Sequence, residues 1–231
     1  MWLLHGGKMV DTKCKMPDRT VVIMNNLWQN YKKVLFNTFN LQPPDTELYW
    51  EGKRNTTLVA KEWQHKYFLK AREVEIYNEK SSIYNNILYP KTGSNLPCFG
   101  MDLMGFAEYK VIIVFDFQHP TENYMFSHPD LPVATEDYRF FEKGNHFSEN
   151  IFVRKCKMDE VDQYVGEFAQ YLDAYRKMVE AIEPDGEDTS VYADFDTYMT
   201  RLDPVGGYLK GIFGEERAEE LVKSFLFCYN K

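Results

Sequence analysis

Most signatures that assign a function at sight are missing from this sequence. No stretch of the 231 residues approaches the roughly 20 consecutive apolar residues a membrane-spanning helix needs. Positive charge is scarce: 27 Lys and Arg stand against 35 Asp and Glu, a net charge of −8. Such a balance disfavours nucleic acid and anionic membranes as partners, because both select clustered basic surface. The start, Met1-Trp2-Leu3-Leu4, is too brief for a signal peptide and lacks a basic lead. A cytoplasmic location is therefore expected. Only four cysteines occur, Cys14, Cys98, Cys156 and Cys228, and no two form a CxxC pair. That spacing speaks against a zinc or iron–sulfur site and for free thiols in a reducing compartment. There is no glycine-rich phosphate loop, no nucleophile elbow and no HExxH. The five histidines show no ligand-like spacing. No metal site is expected.

What is present is aromatic surface. Phe 17, Tyr 16 and Trp 4 make up 16% of the chain. Residues 1–24 read as a loose segment, and 25–231 as one domain. Asn25–Phe39 places Leu27, Tyr31, Val34, Leu35 and Phe39 at helical spacing. Six strand-like segments follow: Thr46–Trp50, Thr57–Trp63, Tyr67–Tyr77, Ile83–Tyr89, Cys98–Phe106 and Tyr109–Phe117. Their short connections favour an antiparallel meander. Val111–Phe115 is apolar on both faces, so it is expected to be covered on both sides. Asp159–Ile182 is a long amphipathic helix, ended by Pro184-Asp185-Gly186, and Ser190–Leu202 and Glu215–Phe227 are two more. The expected fold is α/β: a three-layer α/β/α sandwich around a central antiparallel sheet, in a single domain.

The segment Pro97-Cys98-Phe99-Gly100-Met101-Asp102-Leu103-Met104 carries the strongest chemical hint. As a strand it puts Phe99, Met101 and Leu103 on one face, and Cys98, Gly100, Asp102 and Met104 on the other. A carboxylate among apolar neighbours is costly unless it is paired, protonated or used. Burial raises its pKa and makes it a candidate proton donor. Gly100 leaves room beside it for a flat ligand. The alternative is an aspartate held by backbone amides or an arginine. Asp203, before Pro204, reads on pattern alone as a cap or turn residue. Glu73 and Glu75 fall on one strand face with Leu69 and Ala71, and Asn85 precedes Ile87-Leu88-Tyr89.

These segments, taken in order, resemble the ferredoxin-dependent bilin reductases. The resemblance rests on Pro97–Leu103, Tyr89-Pro90-Lys91-Thr92-Gly93, Phe115-Asp116-Phe117-Gln118, Asn145-His146-Phe147-Ser148 with Ile151-Phe152, and the stretch from Gly186-Glu187-Asp188-Thr189 to Asp203-Pro204. It runs from Trp28 to Tyr229 and is most similar to the phycoerythrobilin-forming branch, of the kind carried by cyanophages.

The resemblance implies that biliverdin IXα, an open-chain tetrapyrrole, binds between the sheet and the C-terminal helices. It implies no bound cofactor, with single electrons supplied by a reduced [2Fe–2S] ferredoxin. Biliverdin would pass through bilin radicals and 15,16-dihydrobiliverdin to phycoerythrobilin. A reductase that stops at the dihydro stage, or a non-catalytic bilin carrier, are the alternatives. Asp102 falls on the family's central aspartate and Asp203 on a second proton donor. Asn85 stands where phycocyanobilin-forming relatives carry histidine, which favours phycoerythrobilin. Glu73 falls on a glutamate that functions in those relatives, and Arg139 is a candidate propionate partner. A monomer is expected. Lys70 with Arg72, and Arg154, Lys155 and Lys157, are candidates for a basic docking rim. Phe99 and Phe106 are expected to help line a dry slot for the bilin.

Overall fold

The structure is a computed structural model and describes residues 24–42, 44–91, 95–107, 110–183, 186–202 and 205–229, with the side chain of Asp45 excepted. The expected looseness of residues 1–24 therefore lies outside the described residues, apart from Met24, whose side chain is buried. Helix α1 (Gln29–Phe39) is followed by seven strands: β1 (Pro44–Gly52), β2 (Thr56–Trp63), β3 (Phe68–Tyr77), β4 (Ser81–Pro90), β5 (Cys98–Phe106), β6 (Val111–Gln118) and β7 (Phe152–Cys156). They pair in chain order, each antiparallel to the next. The expected meander is what forms, with β7 as an extra strand.

Helices cover both faces, as the three-layer reading requires. On one face α1 and α2 (Val165–Glu180) bury Tyr31, Leu35, Phe168 and Tyr175 against Phe99, Met101, Leu103 and Phe115. On the other lie α3 (Ala193–Leu202), α4 (Gly206–Phe213), α5 (Glu215–Glu220) and a π-helical turn, Leu221–Leu226. These pack Phe195, Met199, Leu209 and Leu221 onto Val74, Ile83, Ile87 and Val114. All eight residues of β6 are buried, as its two-sided apolar pattern predicts. Tyr31 and Tyr175 point their hydroxyls to the carbonyls of Val161 and Pro97, at 2.8 and 2.9 Å, so their rings are buried without orphaned donors.

Two sequence expectations change in detail. The long helix over 159–182 begins as a 3₁₀ stretch, Met158–Tyr164, before α2. The helix over 190–202 likewise opens as the 3₁₀ turn Thr189–Tyr192. The proposed stop at Pro184-Asp185 lies outside the described residues. Cys98 and Cys156 are buried free thiols, as expected, while Cys14 is outside the described residues. Among the described residues, no helix is long and apolar enough to cross a membrane.

Candidate functional site

Strand alternation decides which acids can meet. Val74, Asn85, Asp102 and Val114 are successive register partners across β3, β4, β5 and β6, so all four project to the face under α3–α5. Val74, Asn85 and Asp102 form the floor of a narrow apolar cavity. Its walls and roof are Phe140 and Phe141 from the long β6–β7 connection, Met199, Leu209, Leu226 and Phe227. The free space there is about 30 Å³, the room of roughly one water. Asn85 and Asp102 are the polar side chains in it.

Asp102 is partly exposed by surface area because it lines this cavity, yet protein surrounds its carboxyl. Burial raises its pKa above the ordinary carboxylate value. A hydrogen bond from Asn85 and the nearby Arg72 charge pull partly the other way. Asn85 Nδ2 donates to Asp102 Oδ1 at 2.7 Å. Oδ2 has no protein partner among the described residues. The site therefore holds an acid with one oxygen tethered and the other free, facing apolar walls.

Three further acids are buried, and each is spent on structure. Asp116, also on the cavity face beside Gly100, accepts from the Ser148 backbone N–H at 3.0 Å and from the Ser148 hydroxyl. Burial pushes its pKa up to about 7. Asp196 on α3 accepts from the Tyr89 hydroxyl and the Tyr229 N–H, both at 2.8 Å. Asp116, Ser148 and Asn150 explain two of the recognisable segments: they pin the β6–β7 connection. Asn150 Nδ2 reaches the carbonyls of His128, Leu131 and Pro132.

Glu73, the third of these acids, corrects the expectation drawn for it. Its register partners are Lys61 and Asn86, so it projects to the opposite face, beneath α1. There it accepts from Tyr84 Oη at 2.7 Å. Burial raises its pKa against the lowering effects of Lys32 and Tyr84. The residue that stands opposite Asn85 is Val74. Glu73, one residue before Val74 on β3, alternates to the other face of the sheet.

Gly100 does not leave an open space either: a side chain there would meet the carboxamide of Gln118, which folds over it. Phe99 belongs to the α1–α2 face, and Phe106 lines a separate surface cleft. The rings at the cavity are Phe140, Phe141 and Phe227, none of which was singled out from sequence. Arg139 is exposed one residue from Phe140, in left-handed backbone (φ 58°), with its guanidinium 5.1 Å from the Tyr138 ring centroid. Asp203 lies outside the described residues.

Lys70 and Arg72 do not form a surface rim. Both are buried, with 4% and 1% exposure. Lys70 Nζ donates to the Phe225 carbonyl at 2.6 Å, and Arg72 Nε to the Leu226 carbonyl at 3.0 Å. They clasp the C-terminal segment to the sheet. Arg154, Lys155 and Lys157 do lie at the surface to different degrees, with Arg154 paired to Glu136 at 3.4 Å.

This fold and site define a helix-covered antiparallel sheet with a buried acid under its C-terminal helices. Comparison with known proteins places it further. Residues 43–228 match the family model of the ferredoxin-dependent bilin reductases, and the chain belongs to that family. It is 29% identical over 223 residues to a 15,16-dihydrobiliverdin:ferredoxin oxidoreductase of Nostoc punctiforme, covering 85% of this chain and 91% of the relative. It is 26% identical over 238 residues to a phycoerythrobilin:ferredoxin oxidoreductase of Prochlorococcus marinus, covering 87% and 94%. The crystal structure of tomato phytochromobilin synthase in complex with biliverdin superposes with a TM-score of 0.63 at 19% identity, covering 87% of this chain and 83% of that one.

Proposed function

We propose that this reductase takes biliverdin IXα into the cavity above Asp102 and Asn85 and reduces it to phycoerythrobilin through 15,16-dihydrobiliverdin. Electrons arrive singly from a reduced [2Fe–2S] ferredoxin, with no resident cofactor. Each two-electron step takes up two protons, and Asp102 supplies one from Oδ2. The observation that carries this reading is the tethered acid on the floor of an apolar cavity. Burial raises its pKa above the ordinary carboxylate value and so favours the protonated form, which is the state a proton donor needs. Asn85 adds an amide that can orient a pyrrole or lactam but is no comparable acid. Asp203 is assigned as the donor for A-ring reduction, and Arg139 as a propionate partner, on the family resemblance.

A tetrapyrrole needs far more room than one water, since ligand pockets run to several hundred Å³. Entry therefore displaces Phe227 and Leu226, which roof the cavity. A second reading, a two-electron reductase that stops at 15,16-dihydrobiliverdin, is favoured by the name of the Nostoc relative. An anaerobic assay with biliverdin, ferredoxin and a reducing system separates the two. Phycoerythrobilin as the final absorbing species supports the first, and dihydrobiliverdin that accumulates unconverted supports the second. Asp102→Asn should still bind biliverdin but lose turnover by about 100-fold or more. Unaltered rate and product in that variant would remove Asp102 from the mechanism.

A further inference from the structure

Arg72 stands on β3, on the same sheet face as Asp102, but outside the cavity lining. Its guanidinium makes three contacts. Nε donates to the Leu226 carbonyl at 3.0 Å, a terminal nitrogen donates to Asn85 Oδ1, and the group lies 5.5 Å from the Phe227 ring centroid. A guanidinium has five donors and no acceptor. The end of the Asn85 amide that faces Arg72 must therefore be its oxygen. The nitrogen end is left to donate to Asp102 Oδ1 at 2.7 Å and to reach the Met101 carbonyl at 3.3 Å.

The orientation matters chemically. A reversed amide would offer its oxygen to a protonated Asp102 and hold that proton in the Asn85 bond. With the nitrogen facing Asp102, Oδ1 can only accept, and a proton resides on Oδ2. We propose that Arg72 is a positioning residue for Asp102: it locks the Asn85 amide so that the acid's proton is kept on the oxygen free to give it away. This rests on the reading of Asp102 as a proton donor. It also ties the acid to the C-terminal segment, because the same guanidinium holds the Leu226 carbonyl and lies against Phe227.

The charges around Asp102 leave this role to Arg72. Lys70, further along β3, is turned to the Phe225 carbonyl and to Glu62, 3.7 Å away. Asp116 on β6 is bonded to Ser148, and Asp196 on α3 to Tyr89 and Tyr229. The elements packed directly over Asp102 contribute Phe140, Phe141, Met199, Leu209 and Phe227, none of which titrates. Asp203 is outside the described residues. Among those described, Arg72 is the charge that acts on Asp102.

The test is the titration of the Asp102 carboxyl in the ligand-free full chain, read as an infrared carboxyl band that Asp102→Asn abolishes. Arg72→Met should move the midpoint to higher pH, and Arg72→Lys, a donor-only cation, should bring it back toward the parent value. A folded Arg72→Met with an unmoved midpoint overturns the proposal. So does an Arg72→Lys shifted as far as Arg72→Met. If Arg72→Met does not fold, Asn85→Leu cuts the relay while sparing the Leu226 bond. It should raise the midpoint, and a midpoint equal to the parent's overturns the proposal. The band needs no bilin turnover, so failure of the donor reading shows separately, as full reduction by Asp102→Asn.

Discussion

Replacing Asp116 by Asn tests how the sheet holds the connection that brings Phe140 and Phe141 over the cavity. The wild-type carboxyl is fully buried, and its pKa rises from an ordinary 3.8 to about 7, chiefly by desolvation. Between those two values the unfolded chain has lost the proton while the native chain keeps it. Stability therefore falls as pH rises through this window and is flat above it. Each pH unit is worth about 1.4 kcal/mol, so the whole window amounts to about 4 kcal/mol. The segment between pH 5 and 8 amounts to about 2.5 kcal/mol. Asn cannot titrate and has one acceptor oxygen where Asp has two. It keeps one of the two Ser148 bonds and forfeits the other, at a pH-independent cost of about 1 kcal/mol. Urea unfolding of both proteins at several pH values gives the difference directly. At pH 5 the variant should be the less stable. By pH 8 its stability relative to the parent should have risen by about 2.5 kcal/mol, enough to overtake. Groups common to both proteins cancel in this difference. A difference that stays flat from pH 5 to 8, or slopes the other way, would refute the burial argument for Asp116.

The face assignment of the two strand acids separates in one comparison. Glu73→Gln should leave bilin reduction within about twofold of the parent, because the side chain lies across the sheet from the cavity, whereas Asp102→Asn should lose about 100-fold; equal losses measured by anaerobic turnover would contradict the register. Phe227→Ala should lower ligand-free stability by about 3–5 kcal/mol, the usual cost of deleting a buried ring. It should also speed biliverdin association in stopped flow, since a roof residue no longer has to move; slower association would argue for another entry.

How much of this was legible in the sequence differs by element, for physical reasons. Cys98–Phe106 was readable because Phe99, Met101 and Leu103 alternate with the smaller Cys98 and Gly100, and Asp102 breaks the pattern on that second face. β7 was not, because Phe152–Cys156 is five residues with Arg154 and Lys155 inside it. Helix α4 hides behind Gly206, Gly207 and Gly211, which lower helix propensity. Glu73 went astray because which face of β3 meets the cavity depends on its register with β4, which composition does not encode. Lys70-Ala71-Arg72 reads as a solvated charged edge; its burial arises from the C-terminal carbonyls, 154 and 155 positions away in sequence, that the two cations hold. Phe140, Phe141 and Phe227 carried no local signal, since their place at the cavity follows from the Asp116–Ser148 and Arg72–Leu226 bonds.

A raised pKa does not by itself single out the proposed proton donor, because burial raises Glu73, Asp102, Asp116 and Asp196 alike. What separates them is the use of their oxygens. Asp116 and Asp196 have both oxygens occupied by donors, which fixes the carboxyl and removes any vacant site for a substrate atom. Glu73 accepts from Tyr84 and lies under a helix, on the sheet face opposite the cavity. Asp102 alone of the four combines one tethered oxygen, one oxygen without a protein partner among the described residues, and an apolar cavity in front. Tethering costs the acid little freedom that catalysis would need, because the bond falls on the oxygen that does not carry the proton. The arrangement is the one expected where the protein's task is to hold a proton ready in a dry place until electrons arrive.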